Sequence, residues 1–332
     1  MNKHIIILFY IIFLIIYILY KLYENYINKT NNIINHYKPK LINFINSNLN
    51  NQSNKLFLCP LFELGDNIII NGAIRYYCQK YNTVILVCKK IYYDQISYMY
   101  QDLHNILFYV IPDMYANQYL EYYIKIDDDI DNLFKMYNIK YYNIFYNFIE
   151  YNNLLNVDYV LRTYNALNLD INIAYKYFKI VRDHQRENEL YQQLISIIGN
   201  KYVIIIDDEK RNFLINKKYT DQITLPIFKL NANSNNLNPK LNLIKDPYVF
   251  NYCKILENAS EIFSIDTSIP WLIDMMNMKT KTYIYNTRQG LIKYNNKNIN
   301  LLPVKNKDII NNVSNINNYS IKYPYDTILS YM

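Results

Sequence analysis

Short apolar runs alternate with helix-like stretches through the first half of the chain. Apolar runs of this length, uninterrupted by polar residues, are typical of strands that are buried on both faces of a sheet. The predicted elements are, in order, the strand Leu56–Cys59, the helix Asn67–Lys80, the strand Thr83–Cys88, the helix Asp94–Tyr100 and the strand Asn105–Ile111. This order predicts a parallel sheet that is covered by helices.

A second series of the same kind follows a predicted helix that begins after Asp183 and ends at Gly199. Asp is favoured immediately before a helix and Gly immediately after one. The later predicted elements are the strands Tyr202–Asp207 and Ile223–Lys229, the helix Pro247–Asn258, the strand Glu261–Ile265, the helix Ser268–Met278 and the strand Thr280–Tyr285. The chain is therefore predicted to be an α/β protein with two units, over residues 56–180 and 181–290, and a C-terminal tail over residues 291–332.

Residues 5–20 carry no charged side chain and are almost entirely apolar. As a helix they would extend about 24 Å, a little less than the roughly 30 Å hydrocarbon core of a bilayer. Lys3 and Lys21 flank the run and can reach the headgroups. We expect one N-terminal transmembrane anchor over residues 1–23, with a buried core helix as the alternative, and an Asn-rich stem or linker over residues 24–55. The side of the membrane on which the globular part lies stays open, because the flanking charges give only a weak bias.

The composition excludes several classes of protein. Asn and Ile are very frequent, which indicates an AT-rich genome. The 4 Gly residues form neither a G-x-G-x-x-G motif nor a Walker loop, which excludes P-loop NTPases and ordinary dinucleotide-binding enzymes. The net charge of +7 is dispersed, so no nucleic acid partner is expected. The 4 Cys residues have no C-x-x-C spacing, so no zinc site is expected.

Gly65, Asp66 and Asn67 lie in the segment that joins the first predicted strand to its helix. This is the edge at which open parallel sheets bind ligands. Gly65 permits a tight turn and a close approach of the backbone to a ligand. Asp66 would stand at the start of the helix with its carboxylate toward the ligand. Its alternative role is that of a helix cap, for which Asp is also favoured.

Asp266, Thr267 and Ser268 occupy the corresponding position between a strand and a helix in the second series. Backbone N–H groups and the helix dipole favour an anion such as a pyrophosphate there, although capping alone also explains these residue types. Lys210 and Arg211 follow another predicted strand, where charge-assisted hydrogen bonds to phosphate would be useful. A solvated charged turn is the alternative for that pair.

Asp127, Asp129 and Asp131 form an acidic run after an apolar stretch. Hard carboxylate oxygens suit Mg²⁺ or Mn²⁺, and metal-dependent sugar-nucleotide enzymes of the GT-A architecture hold a cation with such a motif. The same run is also explained as an acidic first turn of a helix, which the helix dipole stabilises.

Two of these segments resemble the motifs of one known family. Gly65-Asp66-Asn67-Ile68 resembles the G-D-x-[ILV] segment of glycosyltransferases of the ADP-heptose:lipopolysaccharide heptosyltransferase type. Ile262–Ser268 resembles the later D-[ST]-G-x-x-H signature of that family, in its donor-binding domain. Two residues depart from the pattern: Ser268 stands where the family has Gly, and Trp271 stands where it has His.

The resemblance implies a GT-B-like fold of two Rossmann-like domains that face a cleft, the first for the acceptor and the second for the donor. It implies that Asp66 is the catalytic base, that Gly65 and Asn67 belong to the cleft loop, and that an inverting transfer proceeds without a metal or other cofactor. Its remaining site residues would bind the nucleotide-sugar donor: Lys210, Arg211, Asp266, Thr267 and Ser268.

With the anchor, the leading hypothesis is a membrane-anchored glycosyltransferase that moves a sugar from a nucleotide sugar to a glycan or glycolipid acceptor. The alternatives are a catalytically inactive GT-B-like protein that acts as a membrane-tethered binding or scaffold protein, and a metal-dependent GT-A enzyme that uses the acidic run at residues 127–131.

Overall fold

The computed structural model describes residues 15, 17–22, 24–25, 38–49, 54–60, 63–111, 128–143, 158–207, 215, 221–230, 238–285 and 293–302. These residues belong to two compact units. The first unit takes residues up to 62, 76–93 and 103–150, and the second takes residues 63–75, 94–102 and those from 151 onward. The domain boundary that the sequence suggests near residue 180 stays a prediction.

The first unit contains a parallel sheet of four strands in the order β3-β2-β1-β4. The strands are β1 (Lys55–Cys59), β2 (Thr83–Lys89), β3 (Ile106–Ile111) and β4 (Ile139–Asn143). Almost every residue of β1 and β2 is buried, as their continuous apolar sequences predict. Leu41 and Ile45, from a helical segment over residues 38–48, pack in the core of this unit together with Phe57 and Phe134.

The second unit contains a parallel sheet in the order β6-β5-β7-β8-β9. Its strands are β5 (Val203–Ile206), β6 (Ile227–Lys229), β7 (Glu261–Ile265), β8 (Lys281–Tyr285) and β9 (Ile299–Leu302). The chain adds β6 on one side of β5 and all later strands on the other side. The strand order therefore reverses between β5 and β7, and such a switch point is the usual ligand-binding position of an open α/β sheet.

Nine further helices of the described residues lie between these strands. They are α1 (Leu64–Ile69), α2 (Asn71–Cys78), α3 (Tyr93–Met99), α4 (Asp128–Met136), α5 (Tyr159–Ala166), α6 (Asn172–Lys176), α7 (His184–Ile198), α8 (Cys253–Asn258) and α9 (Ser268–Met275). Short 3-10 turns cover Lys90–Tyr92, Pro239–Leu243 and Val249–Tyr252. The α/β class with parallel sheets is thus confirmed.

The structure differs from the sequence prediction at the first helix. The expected continuous helix Asn67–Lys80 is two helices, α1 and α2, which meet at Ile70. The Tyr164 hydroxyl lies at the junction: it donates to the Ile69 carbonyl at 3.0 Å and accepts from the Ala73 N–H at 3.1 Å. In a regular helix these two groups would bond to each other, so the inserted hydroxyl accounts for the break.

Gly72 allows α2 to approach α6 closely. A Cβ atom at this position would lie 2.5 Å from the Ala174 carbonyl oxygen and 2.6 Å from that of Ile173. Just after α6, the Lys179 N–H donates to the Asn71 side-chain oxygen at 3.0 Å. Residues 71–72 and 173–179 are therefore held together by backbone contact, which requires glycine at position 72.

Arg182 and Asp102 are each at the centre of an ion-pair cluster in the second unit. Arg182 forms hydrogen bonds with Glu187, whose side chain is only 1% exposed, and with Glu257. Asp102 binds both Arg75 and Lys179 at 2.9 Å and 2.7 Å. Against partial burial, the hydrogen bonds from these two cations lower the pKa of Asp102 to about 2.

Two strands were not expected from the sequence. Strand β4 lies in the Tyr-rich region that shows no clear pattern, and β9 comes from residues 293–302, within the expected C-terminal tail. Among the described residues, no helix is both long and apolar enough to cross a bilayer. Most of residues 5–20 lie outside the described residues, and the anchor stays a prediction.

Candidate functional site

The candidate site lies at the switch point of the second sheet, where β5 and β7 end side by side. Each strand is followed directly by a buried aspartate: Asp207 after β5 and Asp266 after β7. The carboxyl ends of parallel strands meet at one edge of the sheet, so the segments that begin with these two residues share that edge.

Asp207 holds the loop that follows β5. Its Oδ1 accepts the Ile215 N–H at 2.8 Å, and its Oδ2 lies 3.5 Å from the Lys229 ammonium. The carboxylate thus ties Ile215 back to the end of the strand. Lys210 and Arg211 come between these two residues in the sequence and lie outside the described residues. Their donor-binding role stays a prediction.

Thr267 and Ser268 form the start of α9. Thr267 has an extended backbone, with φ −133° and ψ −170°, and its side chain makes no capping hydrogen bond. Within the described parts of the chain, its Oγ1 is buried and has no hydrogen-bond partner. Asp266 is 1% exposed, and its Oδ1 accepts from the Tyr294 hydroxyl at 3.3 Å. Thr267 is thus the residue that precedes the helix, as the capping alternative predicts, but its hydroxyl makes no capping hydrogen bond.

Asp66 is the third residue of α1, with Glu63 as the residue that precedes the helix. The helix thus begins three residues earlier than expected, and Asp66 is not its cap. Its Oδ2 accepts the Glu63 N–H at 3.2 Å, which closes the first turn, and its Oδ1 accepts from the Tyr159 hydroxyl at 2.6 Å. The carboxylate is partly exposed and is held on both oxygens.

Gly65 brings this helix against the start of α9 within the second unit. A Cβ atom at Gly65 would lie 3.5 Å from the Ser268 Cα and 3.3 Å from Cδ1 of Trp271. Asn67 is buried, and its Nδ2 donates to the Glu63 carbonyl at 2.9 Å, so it supports the same turn. The two sequence motifs, separated by most of the chain, therefore meet in one place.

Three aromatic side chains join the two motifs. Trp271 is 3% exposed, and its ring centroid lies 6.1 Å from that of Tyr159 and 4.6 Å from that of Tyr294. The hydroxyls of these two tyrosines bind Asp66 and Asp266 respectively. Trp271 thus packs as a core residue, and the two tyrosines donate hydrogen bonds to the carboxylates of both motifs.

Asp274 is a buried carboxyl on the same helix, 1% exposed. Its Oδ1 accepts the Asn296 N–H at 2.7 Å, and its Oδ2 accepts from the Tyr175 hydroxyl at 3.3 Å. Burial raises the pKa of Asp274 to about 6, against the hydrogen bonds that favour its ionised form. Asn296 donates further to the carbonyls of Ile273 and Met278, so this carboxyl fixes residues 293–298 against α9.

The alternative metal-binding run lies at the start of α4, in the first unit. Asp129 pairs with Lys38 at 2.5 Å and Asp131 with Lys135 at 2.5 Å, while Asp127 lies outside the described residues. Over the residues for which coordinates are described, no group of three or more His, Cys, Asp or Glu side chains is arranged to hold a metal ion. The described aspartates of this run thus form ion pairs at the start of a helix.

Sequence reasoning missed Tyr159, Tyr294 and Asp274. Tyr159 and Tyr294 come from Tyr-rich or Asn-rich segments that give no distinctive signal, and Asp274 lies inside an apolar helix. Only the last had a usable sign, since a lone acid among Trp271, Leu272, Ile273 and Met275 is expected to be buried and hydrogen-bonded.

No model of a known protein family matches the sequence, and no curated protein matches it. Among solved structures, one similar chain is the E. coli heptosyltransferase WaaC with ADP-2-deoxy-2-fluoro heptose. The alignment covers 77% of this chain and 95% of that chain, at 10% sequence identity and a TM-score of 0.38. Function is therefore inferred from the residues of this chain.

Proposed function

We propose that the chain is a GT-B-like glycosyltransferase that transfers a sugar from a nucleotide sugar to a hydroxyl of a glycan or glycolipid. The observation that carries this proposal is the meeting of two segments: the helix start that bears Asp66 packs, through Gly65, on the start of α9 at Ser268. This contact supports the proposal because it brings the segment that bears the carboxylate against a helix start after β7, the kind of position where anions bind.

The donor is bound through its diphosphate. Backbone N–H groups at Thr267 and Ser268 carry the partial positive charge of the helix start. Lys210 and Arg211, which follow β5 in the sequence, supply full positive charges. These groups stabilise the negative charge that develops on the leaving nucleoside diphosphate. Asp266, which is hydrogen-bonded to Tyr294, fixes the position of this turn.

Asp66 acts as the general base. As the acceptor oxygen forms a bond to the anomeric carbon, the bond from that carbon to the diphosphate oxygen breaks. The proton of the acceptor hydroxyl passes to the Asp66 carboxylate, and the nucleoside diphosphate leaves with the electron pair. Attack from the face opposite the leaving group inverts the anomeric centre. Positively charged side chains and N–H groups take the place of a metal ion in this scheme.

The acceptor and the location are proposed from the sequence. A membrane anchor over residues 1–23 would keep the enzyme close to a glycolipid or to a membrane-bound glycan. The Asn-rich segment at residues 24–55 would act as a spacer between the anchor and the globular part.

The proposal is tested with the full chain and a panel of nucleoside diphosphates and nucleotide sugars, with binding measured by calorimetry and turnover by release of the nucleoside diphosphate. We expect one nucleotide to bind equally well with and without EDTA, and Lys210→Ala and Arg211→Ala to weaken its binding. Asp66→Asn keeps donor affinity and loses roughly 10²–10⁴-fold in turnover, the usual contribution of a general base.

Glu189→Gln, an isosteric change of an exposed carboxylate on α7, serves as the matched control and keeps full activity. Three results contradict the proposal. Undiminished turnover in Asp66→Asn shows that Asp66 is not the general base. Donor binding that EDTA abolishes favours the metal-dependent alternative. A folded protein that binds no nucleotide of the panel favours the binding or scaffold alternative.

A further inference from the structure

Tyr159 binds the proposed base through a short hydrogen bond. Its hydroxyl donates to Asp66 Oδ1 at 2.6 Å, a distance typical of a hydrogen bond to an ionised carboxylate. Tyr159 and Asp66 are 93 residues apart in the chain. The contact is therefore a product of the fold of the second unit and not of local helix capping.

The position of this hydroxyl is fixed from several sides. The Tyr159 ring lies against Trp271, at a centroid separation of 6.1 Å, and the Arg162 guanidinium lies 5.9 Å from the centre of the same ring. Asp158, the residue before α5, accepts the Leu161 N–H at 3.0 Å with one oxygen and the Lys293 N–H at 2.9 Å with the other. A donor held in this way is pre-organised, because neither its ring nor its helix has to be ordered when substrate binds.

We propose that Tyr159 is a positioning residue for Asp66. Together with the Glu63 N–H on the other oxygen, its hydroxyl fixes the rotamer of the carboxylate and favours its ionised form. This inference rests on the proposed function, since positioning has a catalytic meaning only if Asp66 is the base.

The chain contains its own matched control. Tyr294 packs on the same Trp271, and its hydroxyl also donates to an aspartate, Asp266, at 3.3 Å. Tyr159→Phe and Tyr294→Phe each remove one hydroxyl and keep the ring on Trp271. Each variant removes one hydroxyl beside Trp271, and the two differ in which carboxylate loses its donor.

The test measures turnover of the donor identified from the nucleotide-sugar panel, as a function of pH, for the full chain and both variants. In Tyr159→Phe we expect kcat near neutral pH to fall about tenfold, and the acid limb of the profile to move to higher pH by about one unit, with the KM for donor within about twofold. The acid limb moves to higher pH because a carboxylate that loses a hydrogen-bond donor binds its proton more tightly. Tyr294→Phe leaves the acid limb in place.

An unmoved acid limb in Tyr159→Phe, or equal shifts in both variants, overturns the proposal, because a merely structural role predicts no difference between them. Trp271 fluorescence checks that both variants are folded.

If the wild-type chain turns over no donor, the proposed function fails, and an infrared titration of the carboxyls still decides the contact. The Asp66 signal, identified by its loss in Asp66→Asn, must titrate at higher pH in Tyr159→Phe and unchanged in Tyr294→Phe. An Asp66 midpoint that does not respond overturns the positioning role.

Discussion

The replacement Asp274→Asn is expected to stabilise the protein at neutral pH and to change how its stability depends on pH. The carboxyl is 1% exposed, and its two oxygens accept hydrogen bonds from the Asn296 N–H and the Tyr175 hydroxyl. An amide of the same shape keeps the acceptor for Asn296, and its NH₂ group faces a hydroxyl that can accept in turn. The substitution therefore removes a buried charge without leaving a cavity.

The magnitude follows from the pKa of this carboxyl, which burial raises from 3.8 to about 6. Below about pH 4 the carboxyl is protonated in both the folded and the unfolded chain. Between about pH 4 and 6 only the folded chain holds the proton, so the free energy of unfolding falls as the pH rises through this interval. The shift of about two pKa units corresponds to about 3 kcal/mol. Above about pH 7 the free energy of unfolding is therefore lower by this full amount than it is at pH 4.

Urea unfolding of the full chain at several pH values measures this effect. Trp271 is the only tryptophan of the sequence and lies on the same helix, so its fluorescence reports the region concerned. The difference in unfolding free energy, Asp274→Asn minus wild type, should rise by about 3 kcal/mol between pH 4 and pH 7. The other titratable groups contribute equally in both proteins, so their contributions cancel in this difference. Parallel curves for the two proteins across this range would refute the reasoning.

Three other predictions concern stability and are checked by urea unfolding. Gly72→Ala should lower the free energy of unfolding by about 1–2 kcal/mol, because the cost of overpacking against a backbone carbonyl exceeds the gain in helix propensity; unchanged stability would contradict the close contact of α2 and α6. Arg182→Ala should cost about 3–5 kcal/mol by leaving Glu187 buried and unpaired, and Glu187→Gln in the same chain should recover part of this loss. The pKa of Asp102, lowered to about 2, predicts a stability contribution that is complete above about pH 4 and is lost toward pH 2; Asp102→Asn should abolish this loss.

Central strands of both sheets could be predicted from the sequence because strands that are buried on both faces consist of continuous apolar residues. Strands β1, β2 and β5 are of this kind. Strand β4, with the sequence IKYYN, lies at a sheet edge and lacks such a run, so only its pairing with β1 makes it a strand. The break at Ile70 was equally invisible, since it depends on a hydroxyl that lies 91–95 residues further along the chain.

The site shows the same division between local and distant information. Strand ends and helix starts are local features, which is why Asp66 and Asp266 could be selected from the sequence. Their partners Tyr159 and Tyr294 could not, because 39 of the 332 residues are tyrosine and nothing in the neighbourhood of these two marks them. Tertiary contact alone selects them.

The hydroxyl of Tyr164 lies at the break between α1 and α2. The direction of the six-residue helix α1 therefore depends on the backbone at Ile70, which we treat as its pivot. Asp66 lies four residues from the pivot, about 6 Å along the helix axis. A change of 20° at the break, the size that separates a kink from gentle curvature, would swing the carboxylate by about 2 Å. In Tyr164→Phe we expect the Ala73 N–H to bond the Ile69 carbonyl directly, as in a regular helix. The position of the Asp66 carboxylate thus depends on Tyr164, a side chain that need not contact the substrate.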